Sequence, residues 1–298
     1  MTSAAERLWI GPSGWSYPDW AGVVYPRRRP RGFVPLKFLA GYVNAVEVNS
    51  SFYAIPSAGT TDRWTRLVGP GFRFAFKLTR CFTHEPSHQP EPAAVRAFQA
   101  ALAPVRDAGL LGPLLMQFPW SFRFDRRNAD RLRRLGEAFA DYARVIEVRH
   151  ASWQTHEGLD AIRSAGGWCC IDQPRLRDCL GPSEHVFGPV GYVRLHGRNG
   201  SDWFARDVPA FQRYNYLYGA DELAEWVARV RAMCARAEAV FVFANNHYRG
   251  QGVVNALELR AMLGGSRVAV PPDLLSAYPR LAAIAAPPTQ PGLFDARD

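Results

Sequence analysis

The chain has 298 residues, of which 48% are hydrophobic and 21% are charged, and these values exclude a disordered chain and predict a large buried core. The formal net charge of +9 favours an anionic ligand or nucleic acid as a partner, although a GC-rich genome would also enrich arginine. No apolar run reaches the roughly 18 residues of a membrane-spanning helix and residues 1–7 carry no signal-peptide core, so we expect a cytoplasmic protein with no membrane partner.

Eight short apolar runs follow one another along the chain, and each ends in polar or charged residues. They lie at 8–11, 45–49, 74–78, 114–118, 145–149, 168–172, 192–196 and 240–245. Most are separated by segments that could hold a helix, and eight strands joined by helical crossovers are typical of a (β/α)8 barrel. The sequence therefore predicts an α/β fold, a single TIM-type barrel over residues 1–286, followed by a short C-terminal tail at 287–298.

The segments between these runs predict the helices. The expected helices span 33–42, 61–67, 92–105, 125–142, 156–164, 220–237 and 252–263, with a short helical stretch before residue 284. The pattern is clearest at 220–237, where Leu223, Trp226 and Val230 share one face. The segment 174–189 has no regular pattern and is expected to be irregular. The long segment 12–35 is rich in Gly, Pro and aromatic residues, which is typical of a functional loop.

In a (β/α)8 barrel the C-terminal ends of all strands meet on one face, where active sites are built. The polar residues at these ends are therefore the candidate site. In chain order they are Ser13, Glu47, Asn49, Lys77, Gln117, Glu147, Arg149, Asp172, Arg194, His196, Asn245 and His247. Side chains two residues apart on a strand point to the same side, so Glu147 is expected beside Arg149 and Arg194 beside His196.

The chemistry of these side chains predicts their roles. Glu47 and Glu147 are candidate general bases or metal ligands, and His196 and His247 could transfer protons near neutral pH. Cationic side chains could bind phosphate or carboxylate, and asparagine amides suit hydroxyl or amide groups. The candidate substrate-binding residues are Ser13, Trp15, Asn49, Tyr53, Lys77, Gln117, Arg149, Asp172, Arg194, Arg198, Asn245 and Asn246.

Structural alternatives remain open for the same residues. The charged side chains could neutralise one another inside the barrel without any chemistry. The pairs would be Glu147 with Arg149, Glu47 with Lys77, and Asp172 with Arg194. The aromatic residues near the strand ends could stack on bases or sugars, or they could only pack the long loops together.

A divalent metal is a possible cofactor, because carboxylate and histidine side chains at a barrel rim are typical of metal enzymes. No local ligand motif such as H-E-x-x-H occurs, so a metal would need ligands from several strands. The five cysteines form no C-x-x-C pair, and the sequence therefore does not predict a structural zinc site.

The segments at the strand ends resemble the domain of unknown function 72 family. They are 10–17 (IGPSGWSY), 47–53 (EVNSSFY), 76–77 with 83–84, 117–119 (QFP), 147–150 (EVRH) with 152–153, 192–198 (YVRLHGR) and 243–247 (FANNH). The resemblance covers residues 8–265 and implies a TIM-type barrel. It implies no activity, because the family is named for lacking one. Ala244 stands where the family often has an aromatic residue.

These observations lead to three hypotheses. The first is an enzyme, with a hydrolase favoured, that acts at the barrel mouth on a phosphorylated or nucleic-acid substrate. The second is a non-catalytic module that binds nucleic acid or a nucleotide through the cationic rim and the aromatic side chains. The third is a sugar-phosphate isomerase or epimerase with Glu47 and Glu147 on opposite sides of the substrate.

The tail contains a short motif of its own. Gln290, Leu293 and Phe294 follow the pattern Q-x-x-L-F, which resembles the motif that docks bacterial proteins on the sliding clamp of DNA polymerase. Leucine and phenylalanine would be the apolar anchors and glutamine would fix the register. Pro291 stands where that motif favours leucine. The alternative is that Leu293 and Phe294 pack on the barrel, whereas docking would link the protein to DNA metabolism.

Overall fold

A computed structural model describes residues 7–85, 89–205 and 207–287. Eight parallel strands form a nearly closed barrel with helices between them, which confirms the predicted fold. Each strand overlaps the apolar run that predicted it. The strands are β1 (Leu8–Pro12), β2 (Ala45–Val48), β3 (Arg73–Lys77), β4 (Leu111–Gln117), β5 (Arg144–Glu147), β6 (Gly167–Asp172), β7 (Val190–Leu195) and β8 (Ala239–Ala244).

The helices follow the strands in alternation. They are α1 (Pro35–Leu39), α2 (Ala58–Thr65), α3 (Arg80–Thr83), α4 (Pro92–Asp107), α5 (Arg126–Ala138), α6 (His156–Ala165), α7 (Ala220–Cys234), α8 (Gln251–Gly264) and α9 (Pro272–Ala277). Side-chain caps set several starts, as where Asp125 accepts a hydrogen bond from the backbone N–H of Asn128. Helix α2 begins before its predicted start because Ser57 caps it, and the four-residue α3 was not predicted.

The barrel closes between β1 and β2 with help from a side chain. Strand β1 pairs with β8 and β2 pairs with β3, whereas Ser13 and Glu47 form an isolated bridge between β1 and β2. Beside it, Asn44 accepts a hydrogen bond from the Ile10 N–H at 2.8 Å and donates one to the Leu8 carbonyl at 2.8 Å. The amide of Asn44 thus satisfies two backbone groups that would otherwise lack a strand partner.

The core runs without a break from the barrel interior to the inner faces of the helices. The predicted face of α7, with Leu223, Trp226 and Val230, is buried in it. Toward the C-terminal ends of the strands the buried side chains change from apolar to charged, and Glu47 and Arg194 are 0% and 1% exposed. No helix in the described part of the chain is long and apolar enough to cross a bilayer.

Candidate functional site

One guanidinium lies between two carboxylates at the centre of the barrel. Arg194 of β7 donates from Nε to Oε2 of Glu47 at 2.9 Å and from Nη2 to Oε1 at 2.7 Å, which makes a bidentate pair. Its Nη1 donates to Oε2 of Glu147 at 2.6 Å. We call Glu47, Glu147 and Arg194 the charge network. Strands β2, β5 and β7 carry its members, so the network ties three sides of the barrel together.

The carboxylate of Glu47 has no acceptor position left for a ligand. Besides the two hydrogen bonds from Arg194, it accepts one from the hydroxyl of Ser13 at 2.8 Å and one from the hydroxyl of Tyr192 at 2.7 Å. A carboxylate offers about four lone-pair positions, and these four bonds use them. Glu47 therefore anchors Arg194 and is not available to a substrate in this arrangement.

Glu147 is ionised in the same network. It accepts hydrogen bonds from Nε of Arg149 at 2.8 Å and from Nε2 of His196 at 3.1 Å, in addition to Arg194. Burial alone would raise the pKa of Glu147, but the attraction of Arg194, the hydrogen bond from His196 and the attraction of Arg149 outweigh it and hold the pKa well below its ordinary value. Both glutamates thus bind the same guanidinium and do not face each other across a substrate space.

His196 is a neutral hydrogen-bond donor in this cluster. Asn245 accepts from Nη2 of Arg194 at 3.3 Å through Oδ1, so its amide nitrogen faces Nδ1 of His196 at 2.9 Å. Nδ1 accepts that bond, and the ring proton is therefore on Nε2, which donates to Glu147. Burial lowers the pKa of His196 to about 3, despite the opposing attraction of Glu147.

A cavity of about 500 Å³ opens at the barrel mouth above the charge network, and we call it the mouth cavity. Its lining is Gly14, Trp15, Ser16, Tyr17, Asn49, Ser50, Phe52, Tyr53, Trp64, Lys77, Arg149, Arg194, Tyr214, Asn245 and His247. These residues include cations, amides and aromatic rings but no carboxylate. Glu47, Glu147 and His196 lie beneath the lining and are 0% exposed.

Lys77 is a cation of the mouth cavity without an acidic partner. Its Nζ lies 3.8 Å from the centre of the Phe52 ring, and no carboxylate of the described residues is within 4.0 Å of it. Burial, followed by repulsion from Arg194, lowers the pKa of Lys77 to about 7. The pairing of Glu47 with Lys77 considered from the sequence is therefore wrong, because Arg194 occupies Glu47.

Arg149 presents free donors to the mouth cavity. Its Nε binds Glu147, its guanidinium carbon lies 5.5 Å from the centre of the Trp203 ring, and its side chain is 14% exposed. Within the described residues its two Nη nitrogens have no hydrogen-bond acceptor. The pairing of Glu147 with Arg149 is confirmed, and it holds the guanidinium of this cavity-lining residue through Nε.

Aromatic rings form much of the cavity wall. Trp15 packs edge-on against Trp64 with ring centres 5.1 Å apart, and Tyr17 stacks on His247 at 4.3 Å. Burial lowers the pKa of His247, and its buried Nδ1 has no hydrogen-bond partner among residues 7–85, 89–205 and 207–287. Tyr53 stands at the rim and is 77% exposed.

Several predicted residues lie outside the mouth cavity. Asp172 accepts hydrogen bonds from Nε of Arg198 and from the indole of Trp226, both at 2.9 Å, so its suggested pairing with Arg194 is wrong. That cluster lies between β6 and α7. Asn246 donates to the side chain of Asn255 at 2.8 Å in another buried cluster. Gln117 donates to the backbone carbonyl of Phe118.

Three other residues of the site were missed in the sequence: Tyr192 in the buried network, and Tyr214 and Trp64 in the cavity lining. Tyr192 precedes Arg194 by two positions on β7, so the alternation rule that paired Arg194 with His196 could have identified it. Tyr214 lies in a segment without strand or α-helix periodicity, and no local pattern marks it. Trp64 is on α2, where its contact with Trp15 depends on the fold.

The donor set does not fit the divalent metal considered from the sequence. Across residues 7–85, 89–205 and 207–287 no group of three or more His, Cys, Asp or Glu side chains is arranged to hold a metal ion. The five cysteines are free thiols and none lines the mouth cavity. The predicted docking residues Gln290, Leu293 and Phe294 lie outside the described residues, so docking stays a prediction.

The family described as "Protein of unknown function DUF72" matches residues 9–279 of the chain. The UPF0759 protein YunF of Bacillus subtilis is 26% identical over 270 residues, which are 86% of this chain and 94% of YunF. The UPF0759 protein YecE of Escherichia coli is 28% identical over 115 residues, 39% of each chain.

Two solved structures agree with this match. A DUF72 family protein from Thermotoga maritima has a TM-score of 0.77 and 31% identity, and the alignment covers 87% of this chain and 99% of that one. A DUF72 family protein from Enterococcus faecalis has a TM-score of 0.75 and 24% identity, with 86% and 95% covered. The similarity to the Thermotoga maritima protein supports a shared family, and the similarity to the Enterococcus faecalis protein supports a shared fold.

Proposed function

The chain belongs to the DUF72 family, and we propose that its barrel mouth is the active site of an enzyme that acts on a small phosphorylated substrate. The observation that carries this proposal is Arg149, which lines the mouth cavity: Glu147 holds its Nε, and its two Nη nitrogens have no hydrogen-bond partner among the described residues. An arginine fixed in this way is preorganised to bind a phosphate with two parallel hydrogen bonds.

The charge balance at the mouth also favours an anion. Arg149 and Arg194 neutralise the two carboxylates of the charge network, and the protonated form of Lys77 leaves one positive charge in excess. Because no carboxylate lines the cavity, no lining group repels a phosphate. In such a partly desolvated site each hydrogen bond to a charged group stabilises the complex by about 1.5–3 kcal/mol.

The residues that line the cavity indicate the chemistry and size of the part of the substrate that is not phosphate. Trp15, Tyr17 and Phe52 contribute aromatic surface to the lining that an apolar edge or a sugar ring could contact, and Asn49 and Asn245 contribute amides that could bind hydroxyl groups. A volume of about 500 Å³ lies within the range of sites for small molecules. A phosphorylated sugar or a mononucleotide therefore matches the cavity in size and chemistry.

The binding step can be tested with calorimetry on the full chain. We expect glycerol 3-phosphate to bind and glycerol to show no measurable heat, because only the former carries the anion. Arg149→Met should weaken glycerol 3-phosphate binding by about tenfold or more, which corresponds to about 1.4 kcal/mol. Arg260→Met, at the opposite end of the barrel, is the matched control and should bind as the unaltered chain does. Equal affinities of the Arg149→Met and unaltered chains would overturn the proposal.

Hydrolysis of a phosphoester is the first reaction to measure. Arg149 and Lys77 would stabilise charge that develops on the phosphoryl oxygens, and the neutral imidazole of His247 could accept a proton from water. Glu47 and Glu147 would act as positioning residues through Arg194 and Arg149. The test is turnover of a phosphoester panel with and without Mg²⁺, Mn²⁺ or Zn²⁺. The hydrolase assignment fails if no product forms while glycerol 3-phosphate still binds.

A non-catalytic nucleic-acid module is the second candidate, and one specific observation favours it. Three of the large hydrophobic residues that are exposed, Tyr53, Phe204 and Phe211, are on loops around the barrel mouth. Exposed rings beside a cationic cavity are typical of surfaces that stack unpaired bases. The arginine cluster of α5 supports it less, because Arg133 and Arg134 already pair with Asp130.

Salt dependence separates this candidate from the enzyme. If single-stranded DNA binds through its phosphates, the logarithm of the affinity should fall linearly with the logarithm of the salt concentration. Phe204→Ala should weaken DNA binding by about tenfold, the magnitude of one lost stacking contact, and leave glycerol 3-phosphate binding unchanged, because Phe204 is exposed and does not line the mouth cavity. The module is rejected if oligonucleotides do not bind at low salt.

A further inference from the structure

The mouth cavity contains a lysine whose amine could act as a nucleophile. The chain contains 34 arginines and two lysines, Lys37 and Lys77, and Lys77 is at the C-terminal end of β3 in the cavity wall. Arginine is always protonated in proteins, so it can bind an anion but cannot act as a nucleophile. A lysine amine can do both, and its surroundings decide which form is present.

The surroundings of Lys77 favour the neutral amine. The face of the Phe52 ring, whose centre is 3.8 Å from Nζ, attracts an ammonium only weakly, and no carboxylate of the described residues comes within 4.0 Å to hold its charge. The nearby charges belong to several elements: Arg194 is on β7, and Arg149 lies two residues after the end of β5. The charged and titratable groups that act on Lys77 are Arg194, Glu147, Arg149, Glu47 and His84. Both glutamates already bind arginines, so the net effect of these neighbours on an ammonium is unfavourable.

We infer that the Lys77 amine forms an imine with an aldehyde or ketone whose phosphate is bound by Arg149. This inference rests on the proposed function and names its substrate class, a phosphorylated carbonyl compound. Lys77 and Arg149 line the same cavity, so one small molecule can reach both. The neutral fraction needed for attack is present near neutral pH, since burial and then Arg194 lower the pKa of Lys77 to about 7.

The covalent step balances without an oxidant or reductant. The lone pair of Nζ forms a bond to the carbonyl carbon, and the π electrons of the carbonyl move to its oxygen. That oxygen takes the proton that the nitrogen loses, which gives a neutral carbinolamine. The carbinolamine takes one proton from solvent and releases its hydroxyl as water, and a protonated imine between Nζ and the carbon remains. Its positive charge would then withdraw electrons from neighbouring carbon atoms.

Reductive trapping tests the inference, and the second lysine is an internal control. Lys37 is an exposed residue of α1 on the same chain. The full chain is treated with glycolaldehyde phosphate and sodium cyanoborohydride at pH 7, and the modified lysine is located by peptide mass mapping. We expect Lys77 to be modified at least tenfold faster than Lys37. Unphosphorylated glycolaldehyde should lose most of this preference, because it does not bind Arg149.

The pH profile provides an independent readout. Modification of Lys77 should level off above about pH 7, whereas an ordinary lysine continues to react faster up to its pKa near 10.4. Lys77→Met should abolish the adduct in the cavity and leave the Lys37 adduct unchanged, with circular dichroism confirming that the variant is folded. Equal modification rates for Lys77 and Lys37 overturn the inference. If glycerol 3-phosphate still binds in that case, the imine is refuted and the proposed phosphate site is retained.

Discussion

Two cavities of nearly equal volume lie at opposite ends of the barrel, and their linings differ. The mouth cavity measures about 500 Å³ and the other, which we call the base cavity, about 530 Å³. The base cavity is next to the start of β1 and the C-terminal ends of α7 and α8. Its lining is Arg7, Leu8, Ile10, Asn44, Arg231, Cys234, Ala235, Arg260, Leu263, Gly264, Ser266 and Val268. Volume alone therefore does not distinguish them.

The two cavities differ in how their cations are used. At the base, Arg231 donates to the Met262 carbonyl at 3.2 Å and Arg260 donates to the Tyr42 carbonyl, so these arginines satisfy backbone groups. At the mouth, Arg149 is held through Nε, and its two Nη nitrogens have no acceptor in the part of the chain that the structure describes. The base lining has no aromatic ring, whereas the mouth lining has Trp15, Tyr17 and Phe52 among several. We therefore expect substitutions at the base to change stability, and substitutions at the mouth to change binding of the proposed ligand.

The largest expected effect comes from breaking the charge network. Arg194→Leu removes the partner of two buried carboxylates, and we expect the free energy of unfolding to fall by about 3–5 kcal/mol. Urea denaturation at pH 7 measures this change. Arg133→Leu is the matched control, because its ion pairs on α5 are about half exposed and should contribute about 1 kcal/mol or less. Similar losses in both variants would contradict the special position of Arg194.

A base-cavity residue should affect the fold and not the ligand. Asn44→Ala leaves the Ile10 N–H and the Leu8 carbonyl without their partners at the closure of the barrel. We expect unfolding to become easier by about 2–3 kcal/mol, since each unsatisfied buried group costs about 1–3 kcal/mol. Calorimetry with glycerol 3-phosphate should give an unchanged affinity. Weaker glycerol 3-phosphate binding in this variant would contradict the expectation that base-cavity residues affect stability and not binding.

The sequence predicted the barrel because the relevant pattern is local. Each strand is a short apolar run, and each run was visible without its neighbours. The strand ends also identified Lys77, Arg149 and Arg194 as residues of one face. The pairing among them was not predictable, because Glu47 had both Lys77 and Arg194 within reach of the same barrel interior. Only the packing shows that a bidentate arginine occupies Glu47 and leaves the lysine unpaired.

Tyr192 illustrates a residue that the same rule could have found. Tyr192→Phe deletes the hydroxyl that donates to Glu47 at 2.7 Å and leaves one acceptor position of a buried carboxylate empty. We expect a loss of about 1–3 kcal/mol in urea denaturation. Tyr142→Phe is the control, because the described residues offer its hydroxyl no hydrogen-bond partner. A loss no greater than that of Tyr142→Phe would show that the fourth hydrogen bond to Glu47 is dispensable.

The buried ammonium of Lys77 should lower the free energy of unfolding of the chain. Its pKa is about 7 in the fold, against about 10.4 in the unfolded chain, so the unfolded state holds more protons between these pH values. The cost of burying the ammonium is therefore complete below pH 7 and fades as the pH rises toward 10.4. Lys77→Met should raise the free energy of unfolding by about 0.5–2 kcal/mol at pH 6.5.

The gain from Lys77→Met should shrink at pH 9.5, where the unaltered chain already has a neutral Lys77 when folded. Lys37→Met is the control, because Lys37 is exposed and should give the same small difference at both pH values. A gain that stays constant from pH 6.5 to 9.5 would mean that the substitution acts through packing and not through the charge.

The smallest effect on the fold is expected from the tail. Ala285, near the last described residue, pairs with Val268, which lines the base cavity, so the described part of the chain stops at the end of the barrel opposite the mouth. If Gln290, Leu293 and Phe294 dock on the sliding clamp, the mouth would remain open to substrate. A peptide of residues 287–298 should bind the clamp with a dissociation constant of micromolar order, about −8 kcal/mol.

The double substitution Leu293→Ala with Phe294→Ala should abolish clamp binding of the full chain. It should leave the melting temperature and the affinity for glycerol 3-phosphate unchanged, because a docking motif has to be available to its partner and cannot also be part of the core. Thr289→Ala, which lies outside the Q-x-x-L-F pattern, is the control and should bind the clamp normally. If the double variant instead melts at a lower temperature and the peptide does not bind, both side chains pack on the barrel, and the base cavity with its apolar Leu8, Leu263 and Val268 is where we would first look for them.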